Sequence, residues 1–180
     1  SASRDKMANN NEVRDMMQAL GCGTGKDCDP SKLRYERVVI MTDADVDGAH
    51  IATLLLTFFY QEMPNLLLDG HIYLALPPLY KMSHSGTTVF ALDDAERDRQ
   101  LATTFKNKKN IEITRFKGLG EMPAEQLKMT TMNPAKRRLL QVTVESIAAS
   151  NGIVRQLMGK NPEDRLMFIR EHAREAEVDV

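Results

Sequence analysis

The chain has 180 residues, of which 42% are hydrophobic and 27% charged; that excludes a disordered tail or a low-complexity scaffold and leaves room for one domain, or one domain with an appendage. A formal net charge of −1, from 24 Lys/Arg and 25 Asp/Glu, argues against a uniformly basic nucleic-acid binder. Two cysteines, Cys22 and Cys28, are too few for a disulfide framework or a zinc site of paired CxxC type, and they fit a reducing cytosol.

Ser1-Ala2-Ser3-Arg4-Asp5-Lys6 holds no apolar signal region, so a soluble cytoplasmic protein is expected. Asn9, Asn10 and Asn11 offer helix caps. Val13, Met16, Met17 and Leu20 recur at helical spacing and Gly21 stops the pattern, which predicts a helix over 10–20. Residues 21–32, with three Gly and one Pro, form a loop. Val38-Val39-Ile40-Met41 is a continuous apolar run, as in a strand buried on both faces. A loop over 42–48 follows. Residues 49–62 are apolar nearly all round, which predicts a buried helix; its apolar stretch, Ile51 to Tyr60, is about half the length of a membrane span. Pro64 ends or kinks that helix, and Leu66–Leu68 add a turn. Asp69-Gly70 turns the chain into a second short strand over His71–Leu76. Strand, crossover helix and strand make a βαβ unit with parallel pairing.

Pro77-Pro78 breaks the pattern. Residues 79–92 read as a hairpin turning at Ser83-His84-Ser85-Gly86. Asp93 caps a polar helix to about 105. Ile111-Glu112-Ile113-Thr114 alternates as a strand with one wet face, Lys117-Gly118-Leu119-Gly120 is a flexible turn, and Pro123 starts another helix. Arg138 to Val144 is a strand candidate. Glu145–Met158 and Pro162–Ala176 are the last two helices.

Charge is segregated along this order. Residues 1–37 carry +1, residues 38–80 carry −5 with no Lys or Arg, residues 81–138 carry +5, and residues 139–180 carry −2. An acidic segment followed by a basic one suits a metal site beside a phosphate-binding surface; uneven solvated surface gives the same count.

The acidic segment concentrates in Thr42-Asp43-Ala44-Asp45-Val46-Asp47-Gly48, at the end of a buried strand and before a helix. In an extended segment, carboxylates at alternate positions share a side. Two such charges about 4 Å apart repel by about 4 kcal/mol at an effective dielectric near 20, and a divalent cation removes that repulsion. Magnesium suits one or two carboxylates completed by water and phosphate oxygens, and the carboxyl end of a parallel strand is the usual ligand position in open α/β sheets. The plainer alternative is a polar turn with Asp caps, for which one Asp suffices. Asp43-x-Asp45-x-Asp47-Gly48 also matches the first half of an EF-hand loop. That motif needs Glu at its twelfth position, where this chain has Leu54, and a helix before it, so it is excluded. An aspartyl-nucleophile phosphatase and the Toprim metal-binding fold both remain.

Met41–Ile51 resembles the Toprim signature of bacterial type IIA topoisomerase B subunits. Leu54–Tyr60, Pro77-Pro78-Leu79-Tyr80-Lys81, Arg115–Met122, and Met132-Asn133-Pro134 followed by Arg137-Arg138-Leu139 resemble further blocks of those subunits in the same order. The likeness runs from about residue 4 to the end. It implies an α/β fold: a partial Toprim domain over 1–80, with a Rossmann-like parallel sheet and flanking helices but without its N-terminal strand and catalytic-Glu block, then an α+β tail region over 81–180. The compact chain is more similar to the topoisomerase IV branch than to gyrase subunits that carry a long insertion here.

The resemblance implies ATP-dependent double-strand DNA cleavage and religation with Mg²⁺, ATP being bound by an upstream domain. It implies a heterotetramer with an A subunit that carries the nucleophilic tyrosine. Asp43 and Asp45 would hold metal, with Asp47 on a second ion or acting indirectly. His50, Lys81, Arg115 and Lys117 would contact DNA, where Gly118 and Gly120 let the backbone approach. The family's Glu-Gly-Asp-Ser and Pro-Leu-Arg-Gly-Lys blocks are not in the sequence, so no complete catalytic set is expected and the chain alone is expected to be inactive. Without the upstream part of the domain, apolar surface should be left uncovered. The alternatives are gyrase-type supercoiling, or a stand-alone Toprim or phosphatase-like phosphotransfer enzyme.

Overall fold

The computed structural model describes residues 10–144 and 146–175. These fall into two compact units, one built from residues up to Glu36, Thr57–Asp69 and residues from Thr143 onward, the other from Arg37–Leu56 and Gly70–Val142.

The first unit is helical. Helix α1, Asn11–Leu20, begins where the Asn10 side chain accepts from the Val13 N–H, and it ends where Gly21 takes a φ of 73° and donates to the Met17 carbonyl. Leu20, Cys22, Phe58, Phe59, Met63, Leu66 and Leu67 are buried, and the rings of Phe58 and Phe59 meet edge to face. The Cys28 thiol is pushed up to about 11, first by burial and then by Cys22, so it carries little thiolate at neutral pH. Helices α6, Ile147–Met158, and α7, Pro162–His172, complete the unit. The Asn161 side chain caps α7. Glu145, expected to open α6, lies outside the described residues.

The second unit holds two three-stranded sheets. In the first, β1 (Val38–Ile40) pairs in parallel with β2 (Ile72–Ala75), and β6 (Leu139–Gln141) runs antiparallel on the far side of β2. Between β1 and β2 the chain passes through α2, Val46–Glu62, and the short α3, Pro64–Leu68, which gives the expected crossover and an α/β fold with a mixed sheet. In the second sheet, β3 (Tyr80–His84) lies between β4 (Thr87–Ala91) and β5 (Glu112–Arg115), all antiparallel. The β3–β4 turn is the two-residue Ser85-Gly86, both with positive φ, the hairpin geometry that twisted strands favour. Tyr80, Met82, Ala91 and Phe105 form the core of this part, with Leu79, Val89, Leu101 and Ile111 packed on it. Helix α4, Asp94–Ala102, starts under the Asp93 cap as expected and stops three residues before the expected end, and the short α5, Ala124–Leu127, follows Pro123.

Three expectations are corrected. Helix α2 starts at Val46 and not at residue 49, because Asp45 caps it. Its large side chains are covered toward the C-terminal end and exposed before it: Val46 is 81% exposed, Ile51 51% and Leu54 48%, whereas Phe58 and Phe59 are buried. All-round apolar composition drives burial only where another element is present to pack against. Strand β5 has no dry face, since all four of its residues are exposed; it is an edge strand that packs through its neighbour Ile111 instead.

Candidate metal and nucleic-acid site

Strand β1 delivers the chain to Thr42 and Asp43 at its carboxyl end, and Asp45 then turns it into α2. The Asp45 carboxylate accepts from the Gly48 N–H at 2.7 Å, and its carbonyl accepts from the Ala49 N–H at 3.0 Å. That is an N-cap, satisfying one of the donors that a helix start leaves unpaired. Asp43, Asp45 and Asp47 therefore do not share one extended segment. They occupy a strand end, a cap and a first helical turn in succession. Gly48 is required there, because a Cβ would fall 2.1 Å from the Asp43 carbonyl oxygen.

All three carboxylates are exposed, and among the described residues none forms an ion pair. Nor does any group of three or more His, Cys, Asp or Glu side chains converge as a metal cage among those residues. The donor set fits a hard cation held by one or two carboxylates, with the remaining positions filled from outside the chain. A cleft of about 440 Å³ opens beside this loop, lined by Asp43, Asp45, Leu74, Pro77, Leu92 and Asp93 among others. It sits at the carboxyl ends of β1 and β2, where open α/β sheets bind ligands.

The basic segment reaches the same loop. After β5, Phe116 is buried and its N–H donates to the Leu79 carbonyl at 2.8 Å. The chain then tightens into a 3-10 turn at Leu119–Glu121, while the Glu121 carboxylate accepts from the Lys117 N–H at 2.7 Å. The Leu119 N–H donates to Asp43 Oδ1 at 2.7 Å, across 76 residues of sequence. Gly118 lies against the same carboxylate, where an added Cβ would come within 3.0–3.1 Å of its atoms, whereas a Cβ on Gly120 would meet nothing within 4 Å.

The structure brings some of the expected nucleic-acid residues together and separates others. Lys117, Gly118 and Gly120 adjoin the acidic loop through Leu119. Tyr80 is paired with Arg115 and Lys81 with Thr114, so by register Lys81 and Arg115 lie on opposite faces of their sheet. Arg115 and Lys117 are exposed and Lys81 is half-buried. His50 is the fifth residue of α2, not the second, and is exposed. Tyr80 is a packing residue whose hydroxyl donates to Asp94 at 2.8 Å, which raises its pKa together with burial. The Tyr60 hydroxyl donates to Asn151 at 2.9 Å.

Sequence reasoning missed one ion pair. Glu96 is only 6% exposed and takes both ends of the Arg138 guanidinium, at 2.9 and 2.7 Å, plus the Leu92 N–H at 2.8 Å. The Arg138 hydrogen bonds hold the Glu96 carboxyl below its ordinary range against the cost of burial. Arg138 reads as one residue of a surface cluster, Lys136-Arg137-Arg138, and no local spacing distinguishes it.

A strand-end acidic loop on a parallel β1–β2 pair is the arrangement expected of a Toprim-type α/β protein, and the Toprim domain model matches residues 2–77. The model for the DNA gyrase B subunit carboxyl terminus matches residues 108–170. The B subunits of DNA topoisomerase 4 from two bacteria are close relatives: that of Bartonella bacilliformis is 54% identical over 95% of this chain, and that of Caulobacter vibrioides 54% identical over 100% of it. The DNA gyrase B subunit of Clostridium acetobutylicum is 48% identical over 94%. Over nearly its whole length the chain is similar to DNA topoisomerase 4 and DNA gyrase B subunits, and its two family matches are to a Toprim domain and to a gyrase B carboxyl terminus. It spans about a quarter of the length of these relatives: 25% and 26% of the two topoisomerase 4 proteins and 26% of the gyrase protein. Among the described residues no helix is long and apolar enough to cross a membrane.

Proposed function

We propose that this chain supplies part of the Mg²⁺ site and part of the duplex-DNA surface of an ATP-dependent type II topoisomerase acting in the cytoplasm. Residues 1–80 form its Toprim portion and 81–180 the tail region. Asp43 and Asp45 hold the cation through the carboxylate oxygens not engaged by backbone N–H groups, with Asp47 serving a second ion or tuning the first. Bound Mg²⁺ neutralises charge on phosphate oxygens during cleavage and religation. His50, Lys81, Arg115 and Lys117 contact DNA phosphates, and Gly120 leaves the turn open for backbone to approach them, while Gly118 packs on Asp43. The remaining ligands, the ATP site and the attacking tyrosine come from outside the chain, the last from an A subunit in a heterotetramer.

The observation that carries this reading is the Leu119–Asp43 hydrogen bond. It seats the basic segment against the acidic loop, so a phosphate held by one lies beside a cation held by the other. The names of the relatives favour a topoisomerase IV role, decatenation, over gyrase supercoiling.

The test is Asp43→Ala or Asp45→Ala in the full-length protein assembled with its tyrosine-bearing partner. DNA cleavage is expected to fall by roughly 10²–10³-fold while ATP hydrolysis continues. Normal cleavage in either variant overturns the metal assignment. Metal-dependent phosphate release or nuclease activity by the 180-residue chain alone would instead support the stand-alone phosphotransfer reading.

A further inference from the structure

Two glycines frame the turn after β5, and their surroundings differ. Gly120 faces open space, as a residue that lets backbone approach an outside ligand would. Gly118 does not: its missing side chain leaves room for the Asp43 carboxylate, and an added Cβ would crowd that group at 3.0–3.1 Å. The φ of Gly118 is −160°, extended backbone that any residue adopts, so conformation does not demand glycine here. Space does. The next peptide donates its N–H to Asp43 Oδ1 at 2.7 Å, a charge-assisted bond that engages one carboxylate oxygen and not the other. Carboxylates that bind cations are oriented by such partners.

We infer that the Gly118-Leu119 peptide is a positioning clamp for Asp43: it sets the carboxylate's rotamer for metal binding, and Gly118 acts through Asp43 and not by touching DNA. The inference rests on Asp43 being a metal ligand, as proposed above. It also gives the basic segment a way to influence the metal loop. A displacement of Lys117 on a phosphate moves the peptide that holds Asp43.

The experiment has two arms. In the 180-residue chain, amide hydrogen exchange at Leu119 is measured by NMR. Asp43→Ala is expected to speed Leu119 exchange at least tenfold, and Gly118→Ala to do the same by pushing the carboxylate away. Gly120→Ala should leave Leu119 protected. Unchanged Leu119 exchange in Asp43→Ala overturns the clamp. In the complete enzyme, the Mg²⁺ concentration for half-maximal DNA cleavage is measured. Gly118→Ala is expected to raise it about tenfold, the usual cost of losing a partner that orients a metal ligand, with DNA affinity in the absence of metal unchanged. An unchanged Mg²⁺ requirement overturns the inference, and so does a loss of metal-free DNA affinity, which would make Gly118 a DNA contact. Full cleavage in Asp43→Ala sinks the metal reading itself. Loss of cleavage in Asp43→Ala beside a normal Mg²⁺ requirement in Gly118→Ala sinks the clamp alone.

Discussion

The sheet-bearing unit holds carboxylates in two contrasting settings. Glu96 is buried and neutralised, with Arg138 across both oxygens and the Leu92 N–H as a third donor. Asp43, Asp45 and Asp47 are exposed, and the donors to the first two are backbone N–H groups of Leu119 and Gly48. Backbone donors orient a carboxylate without cancelling its charge; a guanidinium does both. Glu96 thus serves to fasten α4 to the residue that leads into β6, whereas the acidic loop keeps its negative charge available. Burial and partner, not residue type, divide fastening from binding.

The largest effect that separates the two settings is on stability. Glu96→Ala leaves Arg138 without its partner and removes three hydrogen bonds from a covered site. Because Arg138 is half-exposed and can rehydrate, the expected loss is about 2 kcal/mol, below the 3–5 kcal/mol typical of a fully buried pair. In a chain of this size that is a fall in Tm of roughly 4–8 °C. Asp47→Ala is expected to change stability by no more than about 0.5 kcal/mol, and Asp43→Ala, which gives up the exposed bond from the Leu119 N–H, by about 1 kcal/mol. Calorimetry of the three variants decides: equal losses would mean that the acidic loop is fastened too.

A smaller effect comes from pH. The Glu96 carboxyl is held below its ordinary value in the folded chain, mainly by Arg138. Its contribution is therefore fully present above the unfolded carboxylate range, near about 4.3, and is lost as pH falls through the lowered folded value. Urea unfolding from pH 7 down to 3 should show this loss in the wild type and a shallower one in Glu96→Gln. Parallel curves would assign the acid sensitivity to other groups.

What the sequence made legible follows from distance along the chain. The caps at Asn10 and Asp93 were readable because each side chain bonds a backbone N–H three residues on. The hairpin over 79–92 and the βαβ crossover were readable for the same local reason, although the turn is Ser85-Gly86 alone and not Ser83–Gly86. The acidic loop stood out by composition alone. By contrast, the Glu96–Arg138 pair spans 42 residues and the Asp43–Leu119 bond 76. One sequence without its fold gives no reason to join those partners rather than others. The exposed half of α2 was invisible for another reason, since apolar composition reports what a helix would bury and not what is present to cover it.

Asp45 is where the two settings overlap, and it gives the finest test. As an N-cap it needs only an acceptor oxygen; as a metal ligand it needs the charge. Asparagine caps about as well as aspartate, whereas alanine costs about 1 kcal/mol. Asp45→Asn should therefore keep the unfolding free energy within a few tenths of a kcal/mol of wild type, and Asp45→Ala should lose about 1 kcal/mol, by urea denaturation of the chain. Both should lose Mg²⁺-dependent cleavage in the complete enzyme. If Asp45→Asn cleaves normally, Asp45 is no metal ligand, and the plain reading of this residue as a helix start is sufficient. If it is stable yet inactive, the helix cap and the metal ligand are the same carboxylate, one oxygen fixed by the Gly48 N–H and the other left for the cation.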